Sequence, residues 1–137
     1  MWAIDIPRER KHAFVRCACA STTSQQLVGW LATFGLQLND QHLTAISAST
    51  AQAILETILS RSFVGTWREC IPSARARELA QHFIADVGGE AASYYSNGSW
   101  HQADSRSWGP LTDSVFDGGV IAIGRSIAAC VWIEEDD

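Results

Sequence analysis

The sequence predicts an α+β fold in which N-terminal helices pack on a small, mainly antiparallel C-terminal sheet. Three observations support this prediction: helical periodicity dominates up to residue 89, apolar runs separated by turn residues follow, and helices precede strands. A chain of 137 residues has the size of one domain. We divide it into a helical part at about 1–89, a β-rich part at about 90–133 and an acidic tail at 134–137.

The first segment is compatible with either a helix or a strand. Phe14, Cys17 and Ala18 share one helical face. The alternating set, which favours a strand instead, consists of Ala13, Val15, Cys17 and Cys19. Pro7 suits the first turn of a helix, so we favour a helix over residues 7–18 and keep the strand as the alternative.

Two capping boxes predict where the next helices begin. Thr23-Ser-Gln-Gln26 precedes a helical run that ends near Gly35, and Ser49-Thr-Ala-Gln52 precedes a second run that Gly65 would end. The second run carries the most regular apolar stripe of the chain, which we expect to face the core. Its members are Ala51, Ile54, Leu55, Ile58, Leu59 and Phe63.

A further helix is predicted between Ile71-Pro-Ser73 and the pair Gly88-Gly89. Its first turn carries Arg75 and Arg77, which oppose the helix dipole and would form an exposed basic patch. Its inner face consists of Leu79, Ala80, Phe83, Ile84 and Val87.

Turn residues divide the chain after Gly89 into short strands. Asn97-Gly98 predicts a hairpin between segments 92–95 and 99–101, and segment 104–113 has the composition of a loop. A second hairpin is predicted between segments 120–123 and 127–133, whose apolar runs indicate that both sheet faces are covered. The pair Gly118-Gly119 is interpreted as a bend or bulge entering the strand.

Composition argues against several classes of protein. The segment at the N-terminus does not resemble a signal peptide and no run approaches a membrane span, so we expect a cytoplasmic protein without a membrane partner. Cys17, Cys19, Cys70 and Cys130 are expected to be reduced, buried thiols. The cysteines and histidines lack a second ligand pair at zinc spacing, so we expect neither a metal nor another cofactor.

An enzymatic interpretation remains open at one place. Cys70 precedes a helix on which His82 and Asp86 share a face, so the three could form the centre of a small cytoplasmic hydrolase or transferase. No nucleophile elbow or glycine-rich turn accompanies them. We therefore assign no catalytic residues and favour a surface His–Asp pair.

Charge is divided unevenly between the two halves of the chain. Residues 78–137 contain ten carboxylates and two arginines, a balance of −8, whereas residues 1–77 have a balance of +3. A net charge of −5 opposes binding to nucleic acid. The acidic half instead favours a protein partner that has a basic surface, because opposite charge accelerates association.

Aromatic residues indicate where such a partner would bind. The chain contains six tryptophans, of which Trp30 and Trp132 lie in apolar runs and are expected in the core. Trp100 and Trp108 lie among small polar residues, a composition typical of recognition surfaces, although they could also cover the sheet. The predicted partner-binding residues are Tyr94, Tyr95, Trp100, Asp104, Trp108, Asp113, Asp117, Glu134 and Glu135.

In these general features the chain resembles the small, acidic bacterial immunity proteins that neutralise secreted or contact-delivered toxins. The resemblance rests on the α+β pattern, on Lys11 as the single lysine, and on the carboxylate-rich ending Glu134-Glu-Asp-Asp137. It implies a non-enzymatic inhibitor whose partner is a cognate toxin. It carries over no catalytic residue and specifies neither the toxin nor an oligomeric state.

Overall fold

One antiparallel sheet organises the part of the chain that our computed structural model describes, which is residues 13–20, 43–61, 71–101, 108–109, 116–125 and 127–135. The sheet has five strands in the order β1-β5-β4-β3-β2. They are β1 (Ala13–Ala20), β2 (Thr44–Ile46), β3 (Ser93–Ser96), β4 (Phe116–Ile123) and β5 (Ala128–Glu135). Two α-helices pack on the sheet, α1 (Ala48–Ser60) and α2 (Ser73–Val87), and a 3-10 turn (Gly89–Ala91) follows α2. The predicted α+β class is confirmed.

Strands β4 and β5 form the centre of the sheet and the predicted second hairpin. The two strands pair over eight consecutive residues, in a register that puts Val120 opposite Val131. The hairpin closes where the Gly124 amide donates to the carbonyl oxygen of Ile127 at 2.7 Å. Strand β4 begins at Phe116, four residues before its predicted start at residue 120.

The main core lies between the two helices and one face of the sheet. The predicted stripe of α1 is confirmed over its described part, because Ala51, Ile54, Leu55, Ile58 and Leu59 are all at most 1% exposed. Helix α2 contributes Ala76, Ala80, Phe83 and Val87 as buried residues, with Leu79 and Ile84 partly buried beside them. The sheet side of this core includes Val120, Ala122, Ala129, Val131 and Ile133.

Both ends of α1 differ from their predicted positions. The N-cap is Ser47, not Ser49: its backbone is extended and its hydroxyl accepts a hydrogen bond from the Thr50 amide at 3.1 Å. The helix ends at Ser60 and Arg61 is extended, so the predicted end near Gly65 was too late. Residues 62–70, with Phe63 and Gly65, lie outside the described residues.

Helix α2 is confirmed, with Pro72 before its first residue and Gly88 at its end. Gly88 has φ 115, a left-handed conformation that glycine adopts at little cost. The two arginines of the first turn are not a free basic patch. Arg75 pairs with Glu78 at 3.0 Å, and Nε of Arg77 pairs with Glu56 of α1 at 3.0 Å.

The helix that we favoured over residues 7–18 is wrong for its described part, residues 13–18, because Ala13–Ala20 form strand β1. Strand β1 pairs with β5 along all eight residues, so long-range backbone pairing outweighs the local helical pattern. Because β1 and β2 belong to the first half of the chain, the division into helices before residue 89 and strands after it was also wrong. Residues 1–12 and the helix predicted at 24–34 lie outside the described ranges.

Both faces of the sheet are covered, as the apolar runs predicted. Ile121, Cys130 and Trp132 alternate with the residues of the main core, so they lie on the face opposite the helices. All three are nevertheless at most 2% exposed. Trp132 is thus a core residue, as expected. Among the described helices, none combines the length and the apolar character that crossing a membrane would require.

The pair Gly118-Gly119 is not a bulge, because the β4–β5 register runs through it without a break. Its two residues face opposite sides of the sheet, and each makes room for an indole ring. A Cβ atom on Gly118 would lie 2.6 Å from Cε2 of Trp100, and one on Gly119 would lie 2.6 Å from Cε3 of Trp132. These separations are too short for any side chain, so the two tryptophans require the two glycines.

We expect Leu55→Ala or Leu59→Ala to lower the free energy of unfolding by about 2–5 kcal/mol, because each leaves a cavity between α1 and the sheet. Urea unfolding monitored by circular dichroism measures the change. Gln81→Ala on the exposed side of α2 is the control and should stay within about 0.5 kcal/mol of the unchanged protein. Equal effects at Leu55 and Gln81 would contradict the core assignment.

Candidate functional site

The candidate site lies at one end of the sheet, where β3 and β5 end and β4 begins. We call this end of the sheet the acidic end. Asp117 of β4 stands opposite Glu134 of β5, and Asn97, the residue after β3, bonds to Asp117. Strands β3 and β5 flank β4, and neighbouring strands are about 4.8 Å apart, so the axes of β3 and β5 are separated by roughly 10 Å.

Asn97 is the centre of a buried hydrogen-bond network at the acidic end. Its amide nitrogen Nδ2 lies within hydrogen-bonding distance of three acceptors: Oδ1 of Asp117 at 2.8 Å, the Asp117 carbonyl oxygen at 2.9 Å and the Gly109 carbonyl oxygen at 3.0 Å. Its Oδ1 accepts from Nε1 of Trp100 at 3.2 Å. Asn97 therefore joins β4 to the segments that carry both tryptophans.

The hairpin predicted around Asn97-Gly98 is wrong. Strand β3 pairs with β2 and β4, and segment 99–101 is not a strand. Gly98 instead forms a bridge with Trp108, and the Gly109 amide donates to the Asn97 carbonyl oxygen at 2.8 Å. The Asn97 side chain, 3% exposed, thus has internal partners that a solvent-exposed turn would not provide.

Trp108 projects from the acidic end and rests on Trp100. The ring centroids are 4.8 Å apart and the planes are inclined by 32°, which is an offset arrangement favourable for aromatic pairs. Trp100 is only 1% exposed, whereas Trp108 is 38% exposed and is the one large apolar residue classed as exposed in the described ranges. An exposed indole is therefore held by a buried one.

The structure places the predicted partner-binding residues in different environments. Tyr94, Trp100 and Asp117 are at most 2% exposed, so the surface position expected of them is corrected to an internal one. Tyr95 is partly exposed, and Trp108 is exposed as predicted. Asp104 and Asp113 lie outside the described residues. Glu134 and Glu135 are the last residues of β5 and are not a tail, because β4 and β1 both pair with them.

Tyr94 is buried between β3 and the C-terminal end of α2, where its role is structural. Its hydroxyl donates to the Gly89 carbonyl oxygen at 2.6 Å and lies 3.4 Å from the carbonyl oxygen of Ile84. These bonds attach β3 to the C-terminal end of α2. Burial raises the pKa of the Tyr94 hydroxyl, because the phenolate would lose its hydration.

A cleft of about 540 Å³ adjoins the acidic end on the helical side of the sheet. It lies between the last turns of α1 and the first turn of α2, and the segment at Trp100 and His101 closes it. The lining residues are Ala53, Glu56, Thr57, Ser60, Arg61, Ser73, Arg77, Trp100 and His101. Sequence patterns did not identify this cleft, because its residues come from three separate segments of the chain.

The residues of the enzymatic alternative are not gathered in this cleft. His82 and Asp86 are exposed on α2 and line no part of it, and Cys70 lies outside the described residues. Within the described ranges, no group of three or more His, Cys, Asp or Glu side chains could hold a metal ion. The absence of a metal or cofactor remains a prediction.

Comparisons with known proteins do not assign a family. No family model matches the chain, and searches of curated proteins and of solved structures found no significant match. The chemistry of the site therefore has to be inferred from its own residues.

We expect Asn97→Asp to destabilise the protein by about 3 kcal/mol or more, because it puts a second carboxylate beside buried Asp117 and removes the amide donors. The control is Gln81→Glu, which adds the same charge at an exposed position of α2. Chemical denaturation of both variants near neutral pH gives the comparison. If both lose the same stability, Asn97 does not hold the acidic end together.

We also expect Tyr94 to make stability depend on alkaline pH. The unfolded side chain ionises near pH 10 and the folded one at a higher pH, so its contribution is complete below about pH 10 and declines as the pH rises further. Tyr94→Phe should remove this decline, whereas Tyr95→Phe keeps Tyr94 and should retain it. Unfolding measured across the alkaline range tests the expectation, and an identical decline in the Tyr94→Phe variant would refute it.

Proposed function

We propose that this chain is a non-enzymatic binding protein that docks a protein partner with a basic surface at its acidic end. The observation that carries the proposal is the exposed indole of Trp108, stacked on buried Trp100. Exposed tryptophan is unfavourable in water and is common at the energetic centre of protein interfaces.

The underlying contacts support Trp108 as an anchor that is ordered before binding. Two backbone contacts restrain the chain at Trp108. Trp108 itself forms a bridge with Gly98, and the amide of the next residue, Gly109, donates to the Asn97 carbonyl oxygen. Trp100 restrains the ring from below. A side chain already held in one position loses little conformational entropy on binding, so more of its contact energy contributes to affinity.

Charge supports a basic partner. Glu134 and Glu135 end β5 at the same end of the sheet as Trp108, and Asp136 and Asp137 follow them in the sequence. Asp117 is buried, so we no longer expect it to attract a partner through solvent. The other carboxylates of segment 78–137 still outnumber its two arginines, so this half of the chain remains strongly acidic. Complementary charge of this kind mainly raises the association rate.

The particular function that we propose is neutralisation of a toxin by an immunity protein. The supporting features are the acidic α+β domain, the carboxylate-rich ending and the ordered aromatic anchor. The hydrolase or transferase alternative receives no support from the geometry, because exposed His82 and Asp86 lie outside the described cleft. The partner would be blocked by occupancy of its surface, without any chemical step.

We expect Trp108→Ala to raise the dissociation rate of the complex at least about tenfold, because it removes the anchor while leaving the charges in place. Glu134→Gln with Glu135→Gln should instead slow association, and added salt should reduce that difference. The partner is first isolated by co-purification from the source cell, and both rates are then measured by surface plasmon resonance at two salt concentrations.

His82→Ala is the matched control for this experiment, because His82 is also exposed but lies on α2. It should leave both rates and the biological activity unchanged. The proposal fails if no stable protein partner is recovered, if the partner contacts only the basic first half, or if His82→Ala abolishes activity in a folded protein.

A further inference from the structure

We infer that the cleft between α1 and α2 binds a small organic anion, a phosphate ester or carboxylate with an apolar body, through Arg77 and His101. This inference does not depend on the docking proposal, because Trp108 does not line the cleft. A volume of about 540 Å³ lies within the usual range of about 300–1,000 Å³ for small-molecule sites.

The guanidinium group of Arg77 is the main element of the inferred site. Its bond to Glu56 uses Nε, and the structure shows no bond from its two terminal NH₂ groups to a described residue. Glu56 thus orients the guanidinium group and leaves its outer edge available. Planar pairs of N–H donors match the oxygen spacing of phosphate and carboxylate groups.

His101 supplies a second, independent indication. Its Nδ1 atom is buried and has no hydrogen-bond partner among the described residues, although His101 lines the cleft. Buried polar atoms in folded proteins nearly always have a partner, so the unsatisfied Nδ1 favours a turn of the His101 ring that brings this atom to the cleft, where a ligand can bond to it. Nδ1 can donate to an anion in the appropriate tautomer.

The remaining lining explains why the ligand should be organic. Ala53 contributes apolar surface and the nearly buried ring of Trp100 contributes only an edge, whereas Thr57, Ser60 and Ser73 contribute hydroxyl groups. Among the described lining residues, the charged ones beside Arg77 are Arg61 and Glu56. The combination of a cationic edge and an apolar wall fits an anionic group attached to a small apolar body better than it fits a free inorganic ion.

Arg75 provides a matched control for Arg77. Both arginines lie in the first two turns of α2 and each forms an ion pair at 3.0 Å, with side chains that are 52% exposed for Arg75 and 66% exposed for Arg77. Only Arg77 lines the cleft. Replacing either with glutamine removes one positive charge near the start of α2, so the two variants differ in position relative to the cleft and in the ion pair that each one loses.

The experiment titrates the unchanged protein, Arg75→Gln and Arg77→Gln with phenyl phosphate and inorganic phosphate, followed by calorimetry. Thermal melts first establish that the variants are folded. We expect phenyl phosphate to bind with a dissociation constant of about 1 mM or tighter, and more tightly than inorganic phosphate. Arg77→Gln should weaken its binding at least about tenfold, whereas Arg75→Gln should change it less than about twofold.

Two results would overturn the inference. One is the absence of phenyl phosphate binding at about 5 mM, several times the expected dissociation constant. The other is equal weakening by Arg75→Gln and Arg77→Gln, which would show general attraction to a basic helix end. Neither result bears on the Trp108 anchor, so failure here is distinguishable from failure of the docking proposal.

Discussion

Two consecutive glycines in a central strand are the constraint on which the described architecture depends. Gly118 leaves space for Trp100 on the helical face of the sheet, and Gly119 leaves space for Trp132 on the opposite face. Strand β4 thus has one indole ring packed on each of its faces, at two successive residues. The core on the helical face and the core on the opposite face therefore meet β4 at the same place. The usual cost of glycine in a strand is offset by the large apolar area that the two rings bury.

The features of the acidic end follow from the position of Trp100. Its Nε1 bonds to Asn97, Asn97 bonds to Asp117, and Trp108 rests on its ring. The same indole forms part of the wall of the cleft. Because hydrogen bonds in a buried network reinforce one another, the exposed anchor and the cleft are both supported from within the core rather than by flexible surface contacts.

Sequence patterns predicted the elements whose causes are local. The α1 stripe, the Pro72 and Gly88 limits of α2 and the β4–β5 hairpin were all predicted, because periodicity and turn chemistry act over a few residues. The β1 strand was missed because its stability comes from β5. Asn97 was interpreted as a turn residue because its partners, Asp117 and Gly109, are distant in sequence. The cleft was missed for the same reason.

The place of β5 between β1 and β4 has a consequence for biosynthesis. Among the described strands, β1 pairs with β5 alone, so residues 13–20 emerge from the ribosome long before residues 128–135, which pair with them. During that interval its backbone donors and acceptors have no partner in the final sheet. Closing the sheet through contacts so distant in sequence is entropically slow. The nascent chain should therefore complete this sheet only after residue 135 has been synthesised, and until then β1 is exposed to incorrect pairing.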